Sequence, residues 1–194
     1  MMVEFVHHKI QIINGFLSQL TEVQTMLLER SFQFEVGISK LLVEFTSYFK
    51  SIGDTSKESE ILKLSTLLLT VKKGFDPIKL EKINSGKREF YWGIAYHASD
   101  ELQRIITEML SAEMKKLDDA EEILSNMLLG LLQNQILTDG DLKKLDSITK
   151  IELFWKELVK QNTSIALLEK KMKLQITTED IYLLIEKSKS KMNQ

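Results

Sequence analysis

The residues best equipped for recognition chemistry lie in one stretch, Gly86-Lys87-Arg88-Glu89-Phe90-Tyr91-Trp92-Gly93-Ile94-Ala95-Tyr96-His97. Four aromatics fall within seven residues here, beside two cations. Trp, Tyr and Arg are the types that dominate binding hot spots. On a helix, successive side chains point about 100° apart, so Phe90, Tyr91 and Trp92 cannot all face one core. Tyr91 and Trp92 share a face with Ala95, whereas Phe90 groups with Ile94 and His97. Arg88, Phe90, Tyr91, Ile94 and His97 are therefore the candidate partner-binding residues. The plainer reading of the same stretch is an aromatic wedge that anchors a helix start in the core.

Metal chemistry needs ligands in sets, and helical-bundle sites use Glu-x-x-His on facing helices. The chain has three histidines and one such motif, Glu4-Phe5-Val6-His7. His97 with Asp100 and Glu101 is the other pairing on a single helix face. Uniting Glu4, His7 or His8 with His97 and Glu101 requires two distant segments to meet. A metal- or acid–base-dependent enzyme around His97 thus stands only as an alternative, and no catalytic residue, metal or cofactor is assigned. Asp139-Gly140-Asp141 starts like a calcium loop, but Lys144 stands where the EF-hand requires glycine, so a helix cap is expected there. No glycine-rich phosphate loop occurs. Cysteine is absent, which removes disulfides, thiol catalysis and thiolate metal sites.

The charge balance points the same way. Residues 87–137 hold 5 Lys/Arg against 9 Asp/Glu, and residues 138–194 hold 11 against 9. Neither forms the concentrated basic stripe of a nucleic-acid binder. Only Arg30, Arg88 and Arg104 supply the planar fork suited to phosphate and base edges. A nucleic-acid accessory role built on Lys87, Arg88 and the nearby aromatics is a second alternative, and nucleic acid is not the expected partner. The longest uncharged stretch, Ile123 to Thr138, includes Ser125, Asn126, Gln133, Asn134 and Gln135 and is too short and polar to span a membrane. With no signal-peptide pattern in the opening residues, a soluble cytoplasmic protein is expected.

The elements that position these residues are helices. One proline and 8 glycines leave few turns, so a few long helices are favoured over sheet. From Val6 to Ile52, fourteen positions follow an unbroken four–three spacing and twelve are apolar. That pattern is helical, and its width fits a helix with several neighbours better than a two-stranded coiled-coil seam. Breaks are expected at Gln24, Ser31 or Gly37. Gly53-Asp54-Thr55-Ser56 reads as a stop and restart, and Lys72-Lys73-Gly74 as the next helix end. Asp76-Pro77 predicts a short helix to about Asn84. A second long helical stretch covers 87–137; Lys115-Lys116 followed by Asp118-Asp119 resembles a helix end running into a new start, the alternative to one continuous helix. Thr138 begins a turn, Leu142 to Gln161 a helix, Asn162 a cap, and Ile181 to Ile185 a last amphipathic segment.

The expected fold is all-α, an elongated bundle over 1–137 with a smaller C-terminal helical cap or arm over 138–194. The function class that fits is non-enzymatic: an adaptor or regulatory protein that binds another protein through helix faces, with homo-oligomerisation as a further option.

Overall fold

The computed structural model describes residues 5–192. The fold is all-α, with eight helices among the described residues: α1 (Val6–Leu28), α2 (Phe34–Ile52), α3 (Thr55–Lys72), α4 (Lys87–Gln133), α5 (Asp139–Lys144), α6 (Ile148–Gln161), α7 (Thr163–Met172) and α8 (Thr178–Met192). The described residues contain no strand beyond one isolated bridge between Phe75 and Lys82. No described helix is long and apolar enough to cross a membrane. Glu4, the first residue of the Glu-x-x-His motif, lies outside the described residues.

Two compact units form, one from Ile13–Met109 and one from the residues on either side of that segment. In the Ile13–Met109 unit the four–three seam is buried as expected. Ile13, Leu20, Leu27, Phe34, Ile38, Leu41 and Phe45 are all at most 2% exposed. The seam is nevertheless cut at its middle. Ser31 N–H bonds to Met26 O (2.9 Å) and Arg30 N–H to Leu27 O (3.0 Å), the paired bonds of a Schellman helix end. Arg30 takes the left-handed conformation that this end requires (φ 51°). The chain therefore folds back, and the Phe16 ring on α1 stacks on Phe45 of α2 at 4.2 Å. Of the three expected break points only Ser31 lies in the break, because Gly37 has another task. A Cβ there would sit 3.2 Å from Val23, so the missing side chain lets α1 and α2 approach closely.

Gly53 (φ 73°) ends α2, and the Asp54 side chain caps α3 by accepting from Lys57 N–H (3.0 Å), the stop and restart expected there. The helix expected from Pro77 to Asn84 does not form. Asp76 spends its carboxylate on Ile78 N–H (2.8 Å) and Lys79 N–H (3.1 Å). Its backbone N–H meanwhile bonds to Glu81 O (2.8 Å), and Ile83 N–H bonds to Gly74 O (2.8 Å). These bonds close a hairpin-like loop, and a helical continuation would forfeit them.

The alternative of an interruption near Lys115 is not taken: α4 is continuous over 47 residues, about 70 Å at 1.5 Å per residue. The shift of register falls instead on Glu113, which occupies an inward position at 6% exposure. Lys9 (2.8 Å) and Lys116 (2.7 Å) neutralise it. Burial alone raises its pKa, but these two cations bring the carboxyl below its usual value.

The second unit packs the later part of α4 with α5–α8 and the start of α1 around Leu124, Leu128, Ile151, Trp155 and Ile181. Leu142 to Gln161 is two helices rather than one. The chain breaks at Leu145–Ser147, and Ser147 caps α6. Thr138 and Asp141 form the cap expected at that turn, a reciprocal capping box. Asn162 caps α7 by accepting from Ser164 and Ile165 N–H.

Candidate functional site

The topology of the Ile13–Met109 unit gathers four helix ends: the last turn of α1, the first of α2, the last of α3 and the first of α4. The α1–α2 turn projects Phe32 into solvent at 92% exposure. Beneath it, Trp92 is buried against the Phe34 ring (5.6 Å) and the Tyr91 ring (5.7 Å). Between these rings and α3 lies a cavity of about 330 Å³ whose lining includes Phe32, Val71, Lys87, Arg88, Tyr91 and Trp92. A second hollow of about 250 Å³ runs between α2 and α3, floored by Ile38, Leu42 and Leu68 and flanked by Val43 and Leu69. Glu35, Lys72 and Tyr91 line both. Val36 (72%), Val43 (66%) and Leu69 (52%) leave this face of α2 and α3 apolar and open.

The electrostatics of the cavity are uneven. Lys72 is paired with Glu35 at 2.6 Å. Lys87 and Arg88 have no ion-pair partner among the described residues, and the Lys87 side chain runs across Gly74, within 3.4 Å of where a Cβ would stand. Burial, and secondarily the Glu35 charge, push the Tyr91 hydroxyl up to about 12. Tyr91 is thus a neutral hydroxyl at physiological pH, not a nucleophile or a general base.

Of the five residues singled out from sequence, the structure brings Arg88 and Tyr91 together at this cavity. Phe90 and Ile94 are half-buried and His97 is exposed, and none of the three lines either hollow. The Glu101 carboxylate near His97 is engaged by the Arg104 guanidinium at 2.8 and 3.0 Å. No cluster of three or more metal-ligating side chains occurs among the described residues. Sequence reasoning missed Phe32, Glu35 and Lys72. Phe32 lies off the four–three seam, and only its aromatic character in a polar turn hinted at exposure.

A second concentration of polar chemistry lies in the other unit. Asp180 is fully buried. Its Oδ2 accepts from Val6 N–H (3.0 Å), Thr177 N–H (3.0 Å) and the Thr177 hydroxyl (2.9 Å). Its Oδ1 accepts from His7 N–H (3.0 Å) and lies 2.6 Å from His7 Nδ1. A His–Asp pair at this distance evokes a catalytic dyad, but every contact here serves to cap two helix starts, α1 and α8. Burial raises the Asp180 pKa, and the donors from His7, Val6 and Thr177 outweigh it, leaving the carboxyl below its ordinary value.

No family model, curated protein or solved structure matches this chain. The site's own geometry therefore carries the functional argument. Its ingredients are an aromatic-walled hollow, an open apolar groove continuous with it, and two cations at the rim without an ion-pair partner among the described residues.

Proposed function

We propose that this chain is a non-enzymatic interaction protein, an adaptor or regulatory module working in the cytoplasm, which binds another protein through the helix faces around Tyr91. One observation carries the reading: an exposed Phe32 stands over an aromatic cavity that continues into an apolar groove between α2 and α3. Monomeric surfaces rarely leave large apolar side chains contiguous without an interaction to cover them. A groove between two helices is also a standard receptor for an amphipathic helix.

The test is affinity recovery from the native host with wild-type protein, Phe32→Ala and Arg88→Glu, combined with thermal melts of all three. The expected result is a protein recovered by the wild type and lost by both variants, with neither variant melting more than about 2 °C below the wild type. Recovery of the same proteins by all three baits refutes the reading.

A further inference from the structure

We infer that the occupant of this site is an acidic amphipathic helix of a partner protein, with an apolar anchor in the Tyr91–Trp92 cavity and carboxylates on Lys87 and Arg88. The inference rests on the protein-binding reading and adds the chemistry of the partner.

Three observations carry it. The first is charge. Between Thr70 and Arg88 the sequence holds six Lys/Arg and two Asp/Glu, although the whole chain is at −2. At the cavity the one carboxylate, Glu35, is already spent on Lys72 at 2.6 Å. Lys87 and Arg88 are left unpaired among the described residues, so the rim presents net positive charge, and its complement is anionic.

The second is where those cations stand. They occupy the first two positions of α4, the end at which the helix macrodipole favours acids and disfavours bases. Glu89 follows in the same turn, and the Lys87 ammonium lies against Gly74 at the C-terminal end of α3, where a cation is favoured. Arg88 is therefore the cation whose place helix stability does not explain, and an external anion does.

The third is size. A cavity of about 330 Å³ lies at the small end of ligand pockets, which run to about 1,000 Å³, and suits one or two large apolar side chains. The adjoining groove follows α2 from Glu35 to Val43, about 12 Å at 1.5 Å per residue, or slightly more than two helical turns. An anchor followed by apolar residues at helical spacing fills both hollows.

The probes are three synthetic 14-residue helical peptides with one shared leucine–phenylalanine face and polar positions that are all glutamate, all glutamine or all lysine. Binding is read by fluorescence anisotropy of the labelled peptides and by the Trp92 indole N–H resonance, assigned with Trp92→Phe. The glutamate peptide is expected to bind about tenfold more tightly than the glutamine peptide, with the gap narrowing in high salt. It should shift the Trp92 resonance and leave that of Trp155 in place. Lys87→Glu with Arg88→Glu should reverse the order, so that the lysine peptide binds best. Equal binding of all three peptides, binding by none, or an order unchanged by the double reversal overturns the inference. So does preferential binding of a 14-nucleotide oligothymidylate or of vesicles with one-quarter phosphatidylserine, since the site would then serve a polyanion or a lipid surface. If a native partner is recovered in an Arg88-dependent way but contacts the site through a neutral or basic segment, the inference falls and the protein-binding reading stands. If no Arg88-dependent partner exists, both fall.

Discussion

Replacing Asp180 with Asn should cost about 3–5 kcal/mol, which is a large share of the roughly 5–15 kcal/mol that holds a typical domain together. The figure follows from the atoms. Five donors converge on the two carboxylate oxygens of a fully buried residue. An asparagine keeps one acceptor and turns the other into an NH₂ donor. If the amide nitrogen takes the Oδ1 position, His7 N–H faces a donor and is left unmet, at a cost of about 1–3 kcal/mol. If it takes the Oδ2 position, two backbone N–H groups, of Val6 and Thr177, are left unmet. In either case the surviving bonds lose their charge assistance, which about halves their strength.

The assay is urea unfolding of the unit that contains Asp180, followed by Trp155 fluorescence in a Trp92→Phe background. Its pH dependence checks the cause. The folded carboxyl lies below its ordinary value, near 3.9 in an unfolded chain. Its stabilisation is therefore complete above that unfolded value and is lost as pH falls through the folded one. The gap between wild type and Asp180→Asn should narrow as pH falls below about 4. A cost under about 1 kcal/mol, or a gap that widens in acid, refutes the claim that this carboxylate joins α1 to α8.

Other expectations follow from single positions. Leu20→Ala, at a fully enclosed site, should cost about 2–5 kcal/mol, whereas exposed Glu22→Ala should stay within about 0.5 kcal/mol in the same urea melt. Trp92→Ala should cost about 3–5 kcal/mol because its ring fills the space beside Phe34; Phe90→Ala, half-buried away from the cavity, should cost clearly less, and equal losses would show that the aromatic stretch is uniformly core. Arg30→Gly should raise stability by about 0.5–1 kcal/mol, since Arg30 holds φ at 51° and glycine removes the Cβ penalty there. Gly53→Ala, at φ 73°, should lower stability by at least about 1 kcal/mol in a paired melt.

The Arg30 and Gly53 cases also explain how far the fold was legible. Four helices end with the same pair of backbone bonds, at Arg30, Gly53, Gly74 and Gln135. Where the left-handed residue is glycine, the stop is written in the sequence, and Gly53 and Gly74 were both readable. Where it is Arg30 or Gln135, the residue type says nothing about the turn, and tertiary packing pays the conformational cost. The spacing through Val6–Ile52 carries on across the first of these ends, because each half of the hairpin buries its own stripe, and only the polar Ser31 within the stripe marked the break. Conversely, the lysine and aspartate run at 115–119 looked like a helix boundary and is not one. Glu113, paired with Lys9 and Lys116, lets α4 pass through a change of register without breaking.

The candidate site was legible only in part, and for a related reason. Arg88 and Tyr91 stood out by composition, but Phe32, Glu35 and Lys72 come from other helices, and no periodicity connects positions so distant in sequence. One local signal did exist: two cations in the first turn of a helix oppose its dipole. That placement gives the site a stability signature independent of any ligand. Arg88→Glu swaps an unfavourable charge for a favourable one at the α4 N-terminus, worth about 0.3–1 kcal/mol at low ionic strength. The variant should therefore unfold at slightly higher urea in dilute buffer, and the gain should fade as salt is added. The same substitution should abolish recognition of the acidic helix. Gaining stability while losing binding marks a residue retained for function. If Arg88→Glu instead destabilises the protein by more than about 1 kcal/mol, the guanidinium is part of the packing, and the charge argument for an anionic partner loses its footing.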